Sequence, residues 1–156
     1  MTSLRDPGTP FLALDLDRVD ANIARLRAHL DQRGVPLRLH VKTAKAVEVA
    51  TRAYGGGTGP ITVSTLAEAE RFADAGWTDV LYAVGIDPHK LARVRALVDR
   101  GVAMTVLLDS LAQAEALAAF CGEAGVASPA LVEIDCDGHR GGVLPGDPAL
   151  VEIGRV

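Results

Sequence analysis

A chain of 156 residues that is 49% hydrophobic and 23% charged has the material for one globular domain with a sizeable core, and too much apolar content for a disordered chain. A net charge of -4 speaks against a nucleic-acid partner, which needs a basic patch, and leaves small-molecule chemistry open. The apolar runs fall short of a membrane span, and the opening "MTSLRDPGTP" has no apolar signal core.

The chain alternates strand patterns with helix patterns. "FLALDLD" (11–17) reads as a strand, and "VDANIARLRAHLDQRG" after it as a helix with Val19, Ile23, Leu26 and Leu30 on one face and Gly34 as its stop. "VPLRLHVKTAK" (35–45) contains a predicted strand over 37–43, with Leu37, Leu39 and Val41 on one side and Arg38, His40 and Lys42 on the other. A helix is expected over 44–54, and "GGGTGP" (55–60) is a connector. It lacks the Lys-Ser/Thr of a phosphate-binding loop and precedes a strand, "ITVST" (61–65).

The cycle then repeats: helix 66–76, strand 79–85, helix 87–101 with Pro88 in its first turn, and strand 103–109. Helix 110–125 follows, with Ser110 as N-cap, then strand 130–137, a glycine-rich loop, and a helix over 147–156 entered through Asp147 and Pro148.

A βα unit every 20–30 residues or so implies parallel strands joined by right-handed crossovers. Such strands are covered by helices and apolar on both faces. A strand bearing Arg38, His40 and Lys42 on one side therefore points that side into the interior or mouth of a barrel. Six predicted strands do not close an eight-stranded barrel, which leaves an open doubly wound sheet or the front of a longer barrel; the apolar helical ending "LVEIGRV" favours the second, so the expected fold is α/β, the N-terminal portion of a (β/α)8 TIM-type barrel ending before closure.

Function in such sheets gathers at the C-terminal strand ends. That favours Lys42 over Arg38, which sits near the strand's start. A lysine in a dry barrel mouth loses its preference for charge and becomes a nucleophile able to condense with an aldehyde. A plain surface lysine is the competing reading, and Lys45 is nearly as well placed, although it falls where the chain turns outward. Asp135, Asp137 and His139 have a D-x-D-x-H spacing that carries little weight as a metal site. Cys121 and Cys136 form no CxxC pattern and read as reduced thiols of a cytoplasmic protein, Cys136 as a small apolar filler.

"TPFLALDLDRVDANIARL" followed by "GVPLRLHVKTAKAVEVA" resembles the N-terminal part of the fold-type III pyridoxal-phosphate enzymes, specifically the branch of D-threonine aldolase and D-serine dehydratase, with alanine racemase more distant. "ITVSTLAEAERFADAGWTDVLYA" and "LVEIDCDGHRGGV" continue the resemblance in order. It implies one alanine racemase-like barrel domain over 1–156, with late strands and a β-rich second domain beyond it. The strand 11–17 would belong with that second domain.

It also implies that Lys42 holds pyridoxal 5'-phosphate as a Schiff base and moves the substrate's Cα proton, while the cofactor serves as electron sink. His40 would lie beside the cofactor or tune the lysine; a structural histidine is the competing reading. Arg140 would favour the phenolate oxygen of the cofactor, with a loop ion pair to Asp135 or Asp137 as the alternative.

The implied reaction is a lyase step on a small D-amino acid. A divalent metal would be held by residues of the second domain, none of them in this chain, and the complete protein would pair as a homodimer. Two positions depart from the family pattern: Leu39 stands where proline is common before the histidine, and Ala44 where a histidine is frequent.

Beside the outcome that the 156-residue chain alone is an inactive fragment, its phosphate and metal sites lying outside it, three others are open. A racemase is one, and a pyridoxal-phosphate-binding protein that manages cofactor level without a reaction of its own is another. The third is a phosphatase, because "FLALDLDRVD" resembles the haloacid-dehalogenase opening, with Asp15 as nucleophile and Asp17 as acid/base.

Overall fold

The computed structural model describes residue 3, residues 5–11 and residues 13–156. The chain divides into two compact units, residues 1–37 and 38–156.

In the first unit the expected strand over 11–17 does not form. Residues 11 and 13–15 carry no ladder, residue 12 lies outside the described residues, and helix α1 (Leu16–Asp31) begins inside the predicted strand. The reason is local. Asp15 adopts an extended backbone and its carboxylate accepts the Arg18 N–H at 3.1 Å, which starts a helix. The alternation of "LALDLD" has no partner strand to pair with among the described residues. No residue of α1 is buried, and Leu26 on its apolar face is 44% exposed.

The second unit is a five-stranded parallel sheet in sequential order: β1 (Leu39–His40), β2 (Ile61–Val63), β3 (Asp79–Gly85), β4 (Ala103–Leu108) and β5 (Ala130–Val132). Helices α2 (Val47–Ala53), α3 (Leu66–Asp74), α4 (Leu91–Asp99) and α5 (Leu111–Ala124) make the crossovers, and α6 (Ala149–Ile153) follows β5. This is the α/β architecture expected from the sequence, with five of the six predicted strands in place, β3 with its expected bounds and the other four shorter.

Caps set several of those ends. Ser110 accepts the Gln113 N–H, Gly125 closes α5 in the left-handed region, and Asp87 caps a 3-10 turn (Pro88–Lys90) that precedes α4.

The core lies on one face of the sheet. Ile61, Val63, Val80, Tyr82, Met104, Val106 and Leu108 are each no more than 6% exposed and pack in one cluster with Leu66, Phe72, Leu91, Val94 and Leu97 of the helices. Trp77, fully buried between α3 and β3, meets the rings of Tyr54 and Phe72 edge-on at 5.4 Å.

Tyr54 also explains the glycine connector. A Cβ at Gly59 would overlap the Tyr54 ring, and the Tyr54 hydroxyl donates to the Pro60 carbonyl while accepting the Leu39 N–H. The departure at Leu39 now has a consequence. Its N–H also donates to Pro60 O at 3.1 Å, the first rung between β1 and β2, and proline has no N–H for that rung.

The other face carries the buried Thr62 of β2 in register with His40, Leu81, Thr105, Leu107 and Leu131 of the four other strands. All but Thr62 are partly open, Leu131 being 52% exposed. The five strands leave β1 and β5 as edges among the described residues, as expected of a barrel portion that does not close. Arg38 does not reach out to solvent alone. It crosses β2 to pair with Asp79 at 2.8 Å and donates to Ile61 O at 3.1 Å, at the foot of this inner face.

Candidate active site

Strand β1 stops after two residues. The predicted strand over 37–43 gives way to a 3-10 turn, Val41–Thr43, that His40 caps: its Nδ1 accepts the Lys42 N–H at 3.4 Å. Lys42 therefore leaves the sheet at the C-terminal end of β1, next to His40 but no longer in strict strand alternation with it. The expected helix over 44–54 also begins late, at Val47, and Lys45 sits in the gap with a left-handed backbone, φ +53°.

The two lysines have different surroundings. Lys45 Nζ lies 3.4 Å from Glu68 Oε1, whereas no carboxylate among the described residues pairs with Lys42. Lys42 is exposed, which corrects the expectation of a dry mouth. β1 is an edge of the sheet among the described residues, with β2 as its one neighbour.

His40 is half-buried on that face, opposite Thr62. Burial first, and then the charge of Lys42, lower its pKa from 6.5; the Glu68 carboxylate and a hydrogen bond with the Thr62 backbone oppose this without cancelling it. His40 is thus neutral at pH 7. Because its folded value lies below the unfolded one, its contribution to stability is complete above about 6.5 and is lost as the pH falls through the folded value. A proton NMR titration of the His40 ring is expected to give a midpoint below 6.5, and Lys42→Met should raise it; a midpoint at or above 6.5 contradicts this reading.

Glu68 was not singled out in the sequence, although a signal for it was there. "TLAE" (65–68) has the spacing of a capping box. Thr65 accepts the Glu68 N–H at 3.1 Å, and Glu68 Oε2 reaches back to accept the Ser64 N–H at 2.8 Å. The carboxylate ends up 8% exposed at the C-terminal end of β2.

Arg140 lies on the loop after β5, at the sheet edge opposite β1, and its side chain is exposed. The alternative of a loop ion pair does not occur among the described residues. Its backbone N–H, not its guanidinium, meets Asp135 Oδ2 at 3.3 Å.

The D-x-D-x-H spacing serves the loop itself. Asp135, buried, accepts the Gly138 and Arg140 N–H groups, and Asp137 accepts that of His139. Burial would raise the pKa of Asp135, but hydrogen bonds from the Arg140 backbone, from Asp137 and from the Gly138 backbone together hold it below its ordinary value. Gly142 lets this loop return against β5, since a Cβ there would meet Asp135 N at 2.8 Å and Glu133 O at 2.9 Å. Cys136 is exposed, not the apolar filler expected.

The end of β1 thus presents a lysine without a carboxylate partner among the described residues beside a neutral histidine, while the permanently charged Arg140 lies apart from them, on the loop after the opposite edge strand. This donor set suits an aldehyde cofactor that is itself acidic.

The alanine racemase N-terminal domain profile matches residues 14–155. The chain belongs to that family. It is one of the fold-type III pyridoxal-phosphate proteins, as the resemblance around Lys42 implied.

Among family members, the D-threo-3-hydroxyaspartate dehydratase of Delftia sp. (strain HT23) is 50% identical over 148 residues, which is 94% of this chain and 39% of that protein. Its solved structure superposes with a TM-score of 0.93, covering 99% of this chain and 41% of the other. The 3-hydroxy-D-aspartate aldolase of Paracoccus denitrificans is 34% identical over 94% of this chain and 38% of its own length. The structure of D-threonine aldolase from Filomicrobium marinum gives a TM-score of 0.81 at 35% identity, covering 95% of this chain and 40% of that one.

The chain therefore spans about two fifths of the length of these relatives. The phosphatase reading falls with the family assignment and with Asp15, whose carboxylate caps α1. Among the described residues no helix is long and apolar enough to cross a membrane.

Proposed function

We propose that the protein carrying this chain is a pyridoxal-phosphate-dependent lyase acting on a D-amino acid with a hydroxyl at Cβ, with D-3-hydroxyaspartate as the first candidate substrate. The observation that carries this reading is Lys42: an amine with no carboxylate partner among the described residues, turned out at the end of β1, in a chain half identical to a D-threo-3-hydroxyaspartate dehydratase.

The cofactor, when bound, supplies a sink for the electron pair left at the substrate's Cα. Lys42 is the covalent anchor and, once released, the group that moves the Cα proton. His40 stays neutral beside it and presents a ring surface without adding a second positive charge to the mouth. Arg140 contributes a permanent positive charge suited to a phenolate oxygen. A divalent metal in the complete protein is supported by a solved metal-free form of a variant of the Delftia dehydratase. No group of three or more histidine, cysteine or acidic side chains among the described residues is arranged to hold one.

Dehydration rather than aldol cleavage is favoured by identity, 50% to the dehydratase against 34% to the aldolase. The test separates the two by product. Cofactor-loaded complete protein, given D-3-hydroxyaspartate, D-threonine and D-serine in turn, is expected to release ammonia, the product of dehydration followed by hydrolysis. Glycine plus an aldehyde would assign an aldolase, and interconversion of enantiomers a racemase. Cofactor binding with no product from any of the three would assign a carrier role and overturn the lyase reading.

A further inference from the structure

Three polar side chains are buried among the described residues, Thr62, Glu68 and Asp135, and Glu68 is the one that meets a lysine. Its two oxygens have different surroundings. Oε2 is satisfied by the Ser64 N–H, whereas Oε1 has no hydrogen bond and only the ammonium of Lys45 at 3.4 Å. A carboxylate out of water needs a cation close by, and Lys45 supplies it by bending. A non-glycine residue at φ +53° holds that conformation only where its surroundings impose it. Here the Lys45 N–H is fixed to Val41 O at 2.8 Å from behind and its side chain to Glu68 from in front.

We propose that Glu68 is a positioning residue that selects the cofactor-bearing lysine: by tying Lys45 down in its left-handed bend, it leaves Lys42, three residues earlier, as the amine free to react. The inference rests on the reading of Lys42 given above and adds a reason why Lys45, of the same chemistry and in the same loop, does not compete. Attachment joins Nζ to the aldehyde carbon as C=N and expels the carbonyl oxygen, with the two amine protons, as water; no oxidant is involved. The ionisable groups at this mouth are Lys42, Lys45, Glu68 and His40.

The test maps the reduced adduct by peptide mass spectrometry after borohydride treatment of the complete, cofactor-loaded protein. In the parent the adduct is expected on Lys42. In Glu68→Gln the share on Lys45 should rise roughly two- to fivefold, the worth of a partly exposed ion pair, and Glu68→Asp should restore part of the parent pattern. An adduct on neither lysine in the parent removes the functional reading itself. An adduct on Lys42 in the parent with an unchanged partition in Glu68→Gln overturns only the role of Glu68.

Should Glu68→Gln fail to fold, cofactor-free parent protein gives the answer by acylation with acetic anhydride at rising salt. Screening of the ion pair should raise the Lys45-to-Lys42 labelling ratio, and a ratio flat in salt overturns the proposal.

Discussion

Lys42→Ala in the complete protein is expected to remove the cofactor's visible-edge absorbance band and the borohydride-fixed adduct together, and to lower turnover by at least about 10²–10⁴-fold, the usual worth of a positioned proton-transfer group. The effect should be large because the proposed function gives one amine two tasks, anchor and Cα base, and no neighbour shares both. Lys45 is engaged with Glu68, and His40 is a ring nitrogen that cannot form the same covalent link.

Lys42→Arg sharpens the test. It keeps the positive charge beside His40 but offers no amine that is deprotonated at working pH, so binding of the free cofactor should survive better than in the alanine variant while the fixed adduct is still lost. A borohydride-stable adduct of undiminished yield in Lys42→Ala, mapped to another residue, would remove Lys42 from the site.

The largest effect on stability is expected from Trp77→Ala, a loss of about 3–5 kcal/mol from a domain whose whole margin is about 5–15 kcal/mol. Trp77 has no exposed surface, and two aromatic rings rest against it edge-on, one from the connector after α2 and one from α3. Truncation opens a cavity on the helix side of β2 and β3 and frees Tyr54, whose hydroxyl joins Pro60 to Leu39. Damage should therefore spread to β1 and the lysine turn.

The indole N–H makes no hydrogen bond among the described residues, so Trp77→Phe loses no polar partner and should cost about 1–2 kcal/mol less. Urea unfolding followed by circular dichroism checks both variants, with the midpoint falling and the slope unchanged. A midpoint for Trp77→Ala close to the parent's would refute the packing account.

The βα alternation was legible because apolar periodicity is a local signal, and four of the six predicted strands reappear with their starting residues at 61, 79, 103 and 130. The strand 11–17 failed because alternation counts only where a partner completes the ladder, and Asp15 offered the backbone a helix cap instead. The reading of 37–43 was half right. Period 2 holds to His40, after which the His40 side chain captures the Lys42 N–H and the chain tightens into a turn. Such side-chain capture is one hydrogen bond, too small to register in a hydrophobic pattern.

From the order of residues alone came the class of fold, through the spacing of its strand and helix patterns, and the family with Lys42 as its candidate amine, through the resemblance of the segments around "HVKT". Tertiary structure decided that Lys45 pairs with Glu68, that Arg38 belongs to Asp79, and that Glu68 is buried at the mouth. Those outcomes depend on residues 23 to 41 positions apart meeting in space, and charge pairing across strands leaves no periodic trace in the sequence.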